Sequence, residues 1–365
     1  MHRYLFALAF LSALLAPLPS QAAPLYTVSF LPDAQFSPYA MNNAGQIVGT
    51  RGGAGLRAVF YDGARQFLTL PDAESSLAYG INDAGAVTGV YLSLTDSNAH
   101  AFVYRNGSLR DLGAGTAGFG INASGDVVGV AQAAGGGNTG FLDRNGVRTE
   151  LGNLGAGTSA QALGINDRGQ IVGNSTLGAE SENAPTHPFL YSDGALLDLG
   201  TLAGANDNSA VAINNAGQVV GYSEAADGSA HAFVYEGGVM RDLGGFGTAQ
   251  MNIRNINQHG RFVGTAITGA GGDVPFVSLG GRLVDLNTLI DPVLGWTLYS
   301  ADLNNDFDQI FGSGCYQGMC GLVRLDLAGA VPEPRAAWLL VPGLLVLVGA
   351  RRRQRRGEAF AGALA

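Results

Sequence analysis

The sequence predicts an all-β fold, a seven-bladed β-propeller of four-stranded blades, because one short motif recurs seven times along the chain. Its clearest copy is INNAGQVVG at residues 213–221. The related copies lie at residues 41–49, 81–89, 121–129, 165–173 and 256–264, with a looser one at 303–312. A period in the range of about 40 to 50 residues is typical of a propeller or a solenoid rather than of one irregular domain.

Each copy contains an asparagine that we assign to a structural turn. An asparagine side chain can bond back to the nearby backbone and so stabilise a type I turn. The repeat-turn residues are Asn42, Asn82, Asn122, Asn166, Asn214, Asn257 and Asn304, at successive spacings of 40, 40, 44, 48, 43 and 47 residues.

Four β-prone segments follow one another in each period, named here strands A to D. In the fifth period, strands A and B are residues 209–213 and 218–223, and strands C and D are residues 231–235 and 239–243. No segment shows the apolar spacing of a helix. The turns between C and D are dipeptides typical of two-residue primed turns. They are Asp62-Gly63, Asn106-Gly107, Asn145-Gly146, Asp193-Gly194, Gly237-Gly238 and Gly280-Gly281.

Strand B contains a glycine in every period, which indicates a close approach of neighbouring backbone. These glycines are Gly49, Gly89, Gly129, Gly173, Gly221, Gly264 and Gly312. The last period lacks a strand D, whereas residues 26–31 precede the first period as an extra strand. We therefore expect residues 26–31 to pair with strand C of the last blade and to close the ring, which removes two exposed sheet edges.

The composition excludes a nucleic-acid partner. Residues 24–330 contain 27 acidic residues and 13 arginines, and the chain has no lysine. Such an excess of negative charge repels phosphate backbones.

Gly and Pro account for 69 of the 365 residues, and 47% of the residues are apolar, so the chain can form a packed interior.

The two ends have the pattern of sorting segments. Residues 1–22 have the charged, apolar and small-residue order of a secretory signal peptide, and residues 24–327 form the predicted propeller. Residues 328–335 are a linker with a Pro-Glu-Pro motif. Residues 336–350 form a hydrophobic sorting or transmembrane helix, short for a membrane span, and residues 351–365 form a basic cytoplasmic tail.

Pro332, Glu333 and Pro334, followed by the short apolar helix and the arginine cluster, resemble the PEP-CTERM sorting signal of Gram-negative bacteria. The resemblance implies an exosortase partner, transient insertion in the inner membrane, cleavage near the motif, and release to the cell surface or the extracellular exopolysaccharide matrix. Residues 357–365 extend beyond the usual end of such a signal. A permanent single-span anchor is the alternative.

The repeats themselves resemble a second family. His100-Ala101-Phe102, His231-Ala232-Phe233 and the variant His187-Pro188-Phe189, each followed by Asp-Leu-Gly, are similar to HAF-repeat extracellular bacterial proteins. The resemblance covers nearly the whole exported region and implies no known enzymatic activity. Repeats one, three and six lack the triplet, so the histidine is not required in every blade.

The motifs that could carry chemistry favour structural roles. Residues 113–118 fit GxGxxG, but a strand rather than a helix should follow them, so we assign no cofactor. Residues 302–308 place oxygen ligands as a calcium loop would, but they lack its Gly and its last Glu. The histidines have no ligand set for zinc, and we expect those that begin strand C to bond backbone at the blade edge. We therefore assign no metal-binding and no catalytic residue.

Cys315 and Cys320 are the only cysteines, and they flank a short hairpin of an exported chain. We expect them to form a disulfide between strands B and C of the last period. A free or metal-bound pair is the alternative.

Two functions fit these features. The first is a surface or matrix protein without enzymatic activity that binds exopolysaccharide or another envelope component, and we favour it. The second is a propeller-type glycoside hydrolase or lyase. The recurring acids Asp111, Glu150, Asp198, Asp242 and Asp285 end strand D, the outermost strand, which is a poor place for a shared active site.

Overall fold

The computed structural model describes residues 25–329, apart from residue 54 and residues 134–135, 179–183, 203–207 and 269–271. These residues form seven antiparallel four-stranded sheets whose first strands surround a central channel. The predicted seven-bladed β-propeller is therefore confirmed.

The chain divides into a unit of residues 1–326 and a C-terminal unit of residues 327–365, of which only residues 327–329 are described. The predicted signal peptide, sorting motif Pro332-Glu333-Pro334, hydrophobic helix and basic tail all lie outside the described residues. Among the helices that are described, none has the length and apolar character that crossing a membrane requires.

The first strand, β1 (Tyr26–Phe30), belongs to the last blade, and blades 1 to 3 follow it in chain order. Blade 1 contains β2 (Ser37–Met41), β3 (Ile47–Arg51), β4 (Arg57–Tyr61) and β5 (Arg65–Phe67). Blade 2 contains β6 (Ala73–Ile81), β7 (Val87–Ser93), β8 (Ala99–Arg105) and β9 (Ser108–Ala114). Blade 3 contains β10 (Thr116–Ile121), β11 (Val127–Gln132), β12 (Asn138–Arg144) and β13 (Val147–Gly152).

Blades 4 to 7 continue the same order from the channel outward. Blade 4 contains β14 (Ala160–Ile165), β15 (Ile171–Thr176), β16 (Thr186–Ser192) and β17 (Ala195–Asp198). Blade 5 contains β18 (Asn208–Ile213), β19 (Val219–Glu224), β20 (Ala230–Glu236) and β21 (Val239–Asp242). Blade 6 contains β22 (Gln250–Ile256), β23 (Phe262–Ile267), β24 (Val274–Leu279) and β25 (Arg282–Asp285). Blade 7 contains β26 (Trp296–Asn304), β27 (Ile310–Tyr316) and β28 (Met319–Leu327), after the 3₁₀ helices Leu286–Thr288 and Pro292–Leu294.

The ring closes through β1, as the sequence predicts. β1 lies beside β28 and completes the seventh sheet as its outermost strand. The amide of Leu31 donates to the carbonyl of Leu322 at 2.9 Å, and the Thr27 hydroxyl donates to the carbonyl of Asp326 at 3.3 Å. The first and last parts of the propeller therefore share one sheet, which removes the free edge of β28.

Antiparallel connectivity gives the ring two distinct faces. The connections from A to B and from C to D lie at one face, here called the turn face. The connections from B to C and from D to the next A lie at the opposite face, here called the loop face. Most C to D turns are the expected primed turns, because both central residues have positive φ. Asp62-Gly63 differs, since only Gly63 has positive φ and the loop extends to Ala64.

The blades pack face to face through apolar side chains. Between blades 5 and 6, Val220 and Ala232 share one buried cluster with Met251 and Ile253. The phenylalanine at the third position of the triplet is fully buried in strand C, as Phe233 shows. These clusters explain why the strands alternate between large and small apolar residues.

The strand B glycines lie opposite a bulge in strand A. In every blade the pairing of A with B shifts register by at least one residue. A Cβ on Gly221 would lie well inside 3.0 Å of the carbonyl oxygen of Ser209 and also 2.8 Å from the Phe233 ring. The carbonyl oxygen of strand A approaches the equivalent glycine in all seven blades. The repeat therefore requires glycine here because the bulged backbone leaves no room for a side chain.

We expect Gly221→Ala to lower the free energy of unfolding by about 3 kcal/mol, because the added methyl group must displace backbone in a packed interior. Gly52→Ala is the matched control, since a Cβ there meets nothing within 4 Å. Urea denaturation of the two variants tests the explanation. Equal stability of the two variants would contradict it.

Candidate functional site

The strands nearest the axis enclose a cavity of about 270 Å³ near the turn face. All seven blades contribute to its lining, from the last residues of each strand A to the first residues of each turn. A central cavity of this kind is the usual place to look for a binding site in a repeat ring.

The turn asparagines connect each blade to the next one. The side-chain oxygen of Asn214 accepts hydrogen bonds from the amides of Ala216 and Gln218, both at 3.0 Å. Its side-chain nitrogen donates to the carbonyl of Asn257 in the following blade at 3.1 Å. The same bond to the next blade is made by Asn42, Asn82, Asn122, Asn166 and Asn257.

The assignment of Asn304 as the seventh turn residue is wrong, because Asn305 occupies that position. The side-chain oxygen of Asn305 accepts from the amides of Phe307 and Gln309, both at 3.1 Å. Asn304 is instead the last residue of β26 and pairs with Ile310. In the other copies the asparagine precedes the strand B glycine by seven residues, and only Asn305 has this spacing to Gly312.

A second set of hydrogen bonds links the residues that follow the turn asparagines. The amide of Asn43 donates to a carboxylate oxygen of Asp83 at 2.9 Å, and the amide of Asp306 donates to the side-chain oxygen of Asn43 at 3.0 Å. The second bond joins the last blade to the first. Bonds of the same kind start from the amides of Ala123, Asp167, Asn215 and Gln258. The carboxylates at the mouth of the cavity therefore hold neighbouring blades together.

The calcium-like segment does not gather its carboxylates around one point. Asp302 accepts from the Ser300 hydroxyl at 2.8 Å, whereas Asp306 accepts from the Gln258 amide at 2.7 Å. Asp308 forms an ion pair with Arg261 at 2.5 Å. Within the described ranges, no group of three or more His, Cys, Asp or Glu side chains could hold a metal ion.

The channel wall differs from blade to blade. One residue of each strand A occupies the position three before the turn asparagine: Tyr39, Tyr79, Phe119, Leu163, Val211, Arg254 and Asp302. The aromatic ones contact each other edge to face, with centroid distances of 5.0 Å from Tyr39 to Tyr79 and 5.5 Å from Tyr79 to Phe119. Blades 1 to 3 thus give an aromatic side, blades 4 and 5 an aliphatic side, and blade 6 a charged side with Arg254.

The charged side places Arg254 against the aromatic side. The guanidinium carbon of Arg254 lies 5.1 Å from the centroid of the Tyr39 ring, which is a cation–π distance. Burial raises the pKa of Asp302, although the Ser300 hydrogen bond and the charge of Arg254 act in the opposite direction. Burial also raises the pKa of Tyr79. The cavity lining therefore combines one cation, Arg254, with three aromatic rings, and the carboxylates of Asp83, Asp167 and Asp306 lie at its mouth.

The triplet histidines bind carboxylates on strand D rather than backbone, so the expected backbone bond is wrong. The Nδ1 atom of His231 lies 3.0 Å from both carboxylate oxygens of Asp242, and the Gly244 amide donates to the same carboxylate at 2.7 Å. The equivalent pairs are His187 with Asp198 and His100 with Asp111. The fixed spacing of eleven residues between His and Asp is the signal that could have revealed these pairs. These His–Asp hydrogen bonds link the outermost strand D to strand C.

The remaining recurring acids and the glycine-rich motif also have structural positions. Asp285 accepts from the Asn287 amide at 2.8 Å and so caps a 3₁₀ helix, and Glu150 lies exposed on β13. Residues 113–118 connect β9 to β10, and Gly118 lies within β10, so a strand follows the motif as expected.

Blade 7 differs from the other blades at the loop face. Cys315 and Cys320 lie directly opposite each other on β27 and β28 and form a disulfide, with Cα atoms 4.1 Å apart. Beside them, the Trp296 ring lies 5.0 Å from the Tyr316 ring and 4.7 Å from the Phe30 ring. We call Phe30, Trp296 and Tyr316 the blade-7 aromatic cluster. All three rings are half-buried, and they come from β1, β26 and β27.

No family model and no curated protein matches the sequence. The fold is similar to the β-propeller domain of the Trilobed protease from Pyrococcus furiosus, with a TM-score of 0.53 and 12% identity over 82% of this chain and 95% of that one. That domain is described as having an open velcro topology, whereas β1 and β28 pair here.

Two peptidases are similar over about half of their own length. Pyrococcus horikoshii acylaminoacyl peptidase gives a TM-score of 0.51 at 11% identity, over 79% of this chain and 52% of that one. A Mycobacterium tuberculosis puromycin-hydrolyzing peptidase gives 0.50 at 14%, over 82% and 53%. The chain therefore spans about half the length of each peptidase. At these identities the likeness shows the fold alone.

The His100 pair should make stability depend on pH. Burial lowers the pKa of His100, but hydrogen bonds to Asp111 and Asp96 raise it further than burial lowers it, so it ends above the ordinary value of about 6.5. When folding raises the pKa of a group, the resulting stabilisation is complete below the ordinary pKa of about 6.5. It is lost as the pH rises through the raised pKa.

We therefore expect the stability advantage of the wild type over His100→Gln to be about 1 kcal/mol near pH 6 and to shrink as the pH rises above about 6.5. Thermal denaturation across this range measures the difference. Asp96→Asn is the control, because it removes one of the two carboxylates and should shrink the difference only in part. A difference that does not change with pH would contradict the explanation.

Proposed function

We propose that this chain is an exported propeller that binds an exopolysaccharide or another saccharide of the cell envelope without catalysing a reaction on it. The blade-7 aromatic cluster at the loop face is the binding surface in this proposal. The observation that carries it is the grouping of Trp296 with Tyr316 and Phe30 at one site, where half-exposed rings can stack against the apolar face of a sugar.

The exposed residues around the cluster support this choice. Met319 is 61% exposed and pairs directly with Tyr316 across the hairpin, and the disulfide between Cys315 and Cys320 fixes the two strands beside them. A rigid surface loses less conformational entropy on binding than a flexible loop does. The hairpin therefore has the rigidity that favours recognition.

The positions of the acids favour binding over hydrolysis. Glycoside hydrolysis commonly uses two carboxyl groups about 5 to 9.5 Å apart on either side of the scissile bond. Among the described residues, Asp111, Asp198 and Asp242 are held by histidines, and Asp83 and Asp306 are held by amides of neighbouring blades. These carboxylates already have structural partners, which supports the non-catalytic proposal.

Export and sorting complete the proposal. The signal-peptide pattern of residues 1–22 and the order of Pro332-Glu333-Pro334, apolar helix and arginine cluster support export, transient insertion in the inner membrane and processing by an exosortase. The mature chain would then end near Glu333 at the cell surface or in the extracellular matrix. The disulfide fits an oxidising compartment.

We expect the purified mature protein to bind one or more saccharides on a glycan array, and Trp296→Ala to weaken that binding about two- to tenfold, because an aromatic contact contributes about 0.5 to 1.5 kcal/mol. Phe307→Ala is the matched control, since Phe307 is 67% exposed on the same blade but lies in a turn at the opposite face. Urea denaturation checks that both variants are folded.

Two results would contradict this proposal. The first is equal loss of binding in both folded variants, or no binding to any glycan on the array. The second is the release of new reducing ends or unsaturated sugars from a bound polysaccharide, which would favour the glycoside hydrolase or lyase instead.

Mass spectrometry of the surface-exposed protein tests the sorting step. We expect peptides up to about Glu333 and none from residues 338–365. Changing Pro332 and Glu333 to Ala should retain the longer form in the inner membrane, whereas Glu150→Ala should be processed normally. Recovery of peptides from residues 338–365 in the wild type would instead favour a permanent anchor.

A further inference from the structure

We propose that the central channel is a second binding site, which takes a small six-membered ring carrying a carboxylate, and that Arg254 binds that carboxylate. The site is separate from the blade-7 aromatic cluster and does not depend on the function proposed for it. Three features support this site: an unsatisfied guanidinium nitrogen, the chemistry of the wall opposite it and the size of the cavity.

Arg254 is a donor without an acceptor. Its Nε atom is buried and has no hydrogen-bond partner, and within the described part of the chain the guanidinium forms no ion pair. The neighbouring Asn255 is fully engaged, because its side chain bonds both the amide and the carbonyl of Asn304. A buried guanidinium nitrogen without an acceptor is costly, so the position is better explained by an acceptor that binds there.

A carboxylate is the acceptor that fits best. The planar guanidinium donates two parallel hydrogen bonds to a carboxylate, and such charge-assisted bonds are stronger than bonds between neutral groups. The cation–π contact with Tyr39 fixes one face of the guanidinium and leaves its edge for the ligand.

The channel wall opposite Arg254 can pack against a six-membered ring of a ligand. Tyr79 and Phe119 contact each other edge to face, and Leu163 and Val211 continue the wall without a polar side chain. The aromatic and aliphatic surfaces can cover the apolar faces of a six-membered ring. The cavity of about 270 Å³ lies just below the usual range for drug-sized ligands, about 300 to 1,000 Å³, so one ring fits and an oligosaccharide does not.

Two classes of acid have this chemistry, uronic acids and aromatic acids. Titration calorimetry with one acid of each class shows which of them binds. We expect the full mature protein at pH 7.5 to bind glucuronate or benzoate and not glucose, which has the ring without the carboxylate. Arg254→Gln should weaken the binding at least tenfold, since charge-assisted hydrogen bonds contribute about 1.5 to 3 kcal/mol.

Arg241→Gln is the matched control, because Arg241 lies in a separate cleft with His259 and Gly281, outside the channel. It should bind as the wild type does. Asp302→Asn should bind the acid at least as tightly as the wild type, because it removes a carboxylate that interacts electrostatically with Arg254. Thermal denaturation checks that each variant is folded.

The proposal is overturned if neither acid binds, if glucose binds as tightly as glucuronate, or if Arg254→Gln binds unchanged. The two sites can fail separately. Loss of glycan-array binding in Trp296→Ala with normal binding of the acid in the channel, and the reverse in Arg254→Gln, would show that they are independent.

Discussion

The hydrogen bond that six of the seven turn asparagines donate to the backbone of the next blade is the interaction on which the ring depends. Apolar packing between blades is strong, but it is not directional and would allow neighbouring blades to slide. The bond from Asn214 to the carbonyl of Asn257 fixes both the distance and the height of one blade relative to the next. Since these amides lie next to the channel and are buried, leaving one unpaired would be costly. The repeat therefore keeps asparagine where a generic turn would accept several residues.

The repeated and the unrepeated residues have different roles. Asparagine and the strand B glycine recur because every blade needs the same turn and the same bulge, and the His–Asp pairs recur in three blades at the outer edge. Arg254 in the channel and Trp296 on blade 7 have no counterparts at the equivalent positions of the other blades. A side chain that occurs in one blade only is a better guide to a binding site than a side chain repeated in many blades, because an asymmetric ligand contacts the blades unequally.

The parts of the fold that depend on local signals could be predicted from the sequence. The period, the hairpins, the pairing of residues 26–31 with the last blade and the glycine positions all follow from turn chemistry and strand pattern. The seventh turn was misplaced because two adjacent asparagines, Asn304 and Asn305, both fit the turn preference, and only the spacing to Gly312 separates them.

The site could not be predicted in the same way, because its contacts join residues distant in sequence. Arg254 lies over Tyr39, and Asp306 bonds Asn43, only because the ring brings the sixth and seventh blades back to the first. The His–Asp pairs depend on a different feature, the register between strands C and D. The strand pattern alone does not show which residues of the two strands lie near each other.

The pairing of β1 with β28 also sets an order of events during synthesis. β1 is made first, yet its partner is complete only after Leu327, so the seventh sheet cannot form until nearly the whole propeller has emerged. Earlier blades can assemble from contiguous chain, whereas the last must close a loop of the entire ring, which is slow and entropically unfavourable. A chain interrupted part-way would leave β1 unpaired, so the pairing of this strand requires a full-length ring.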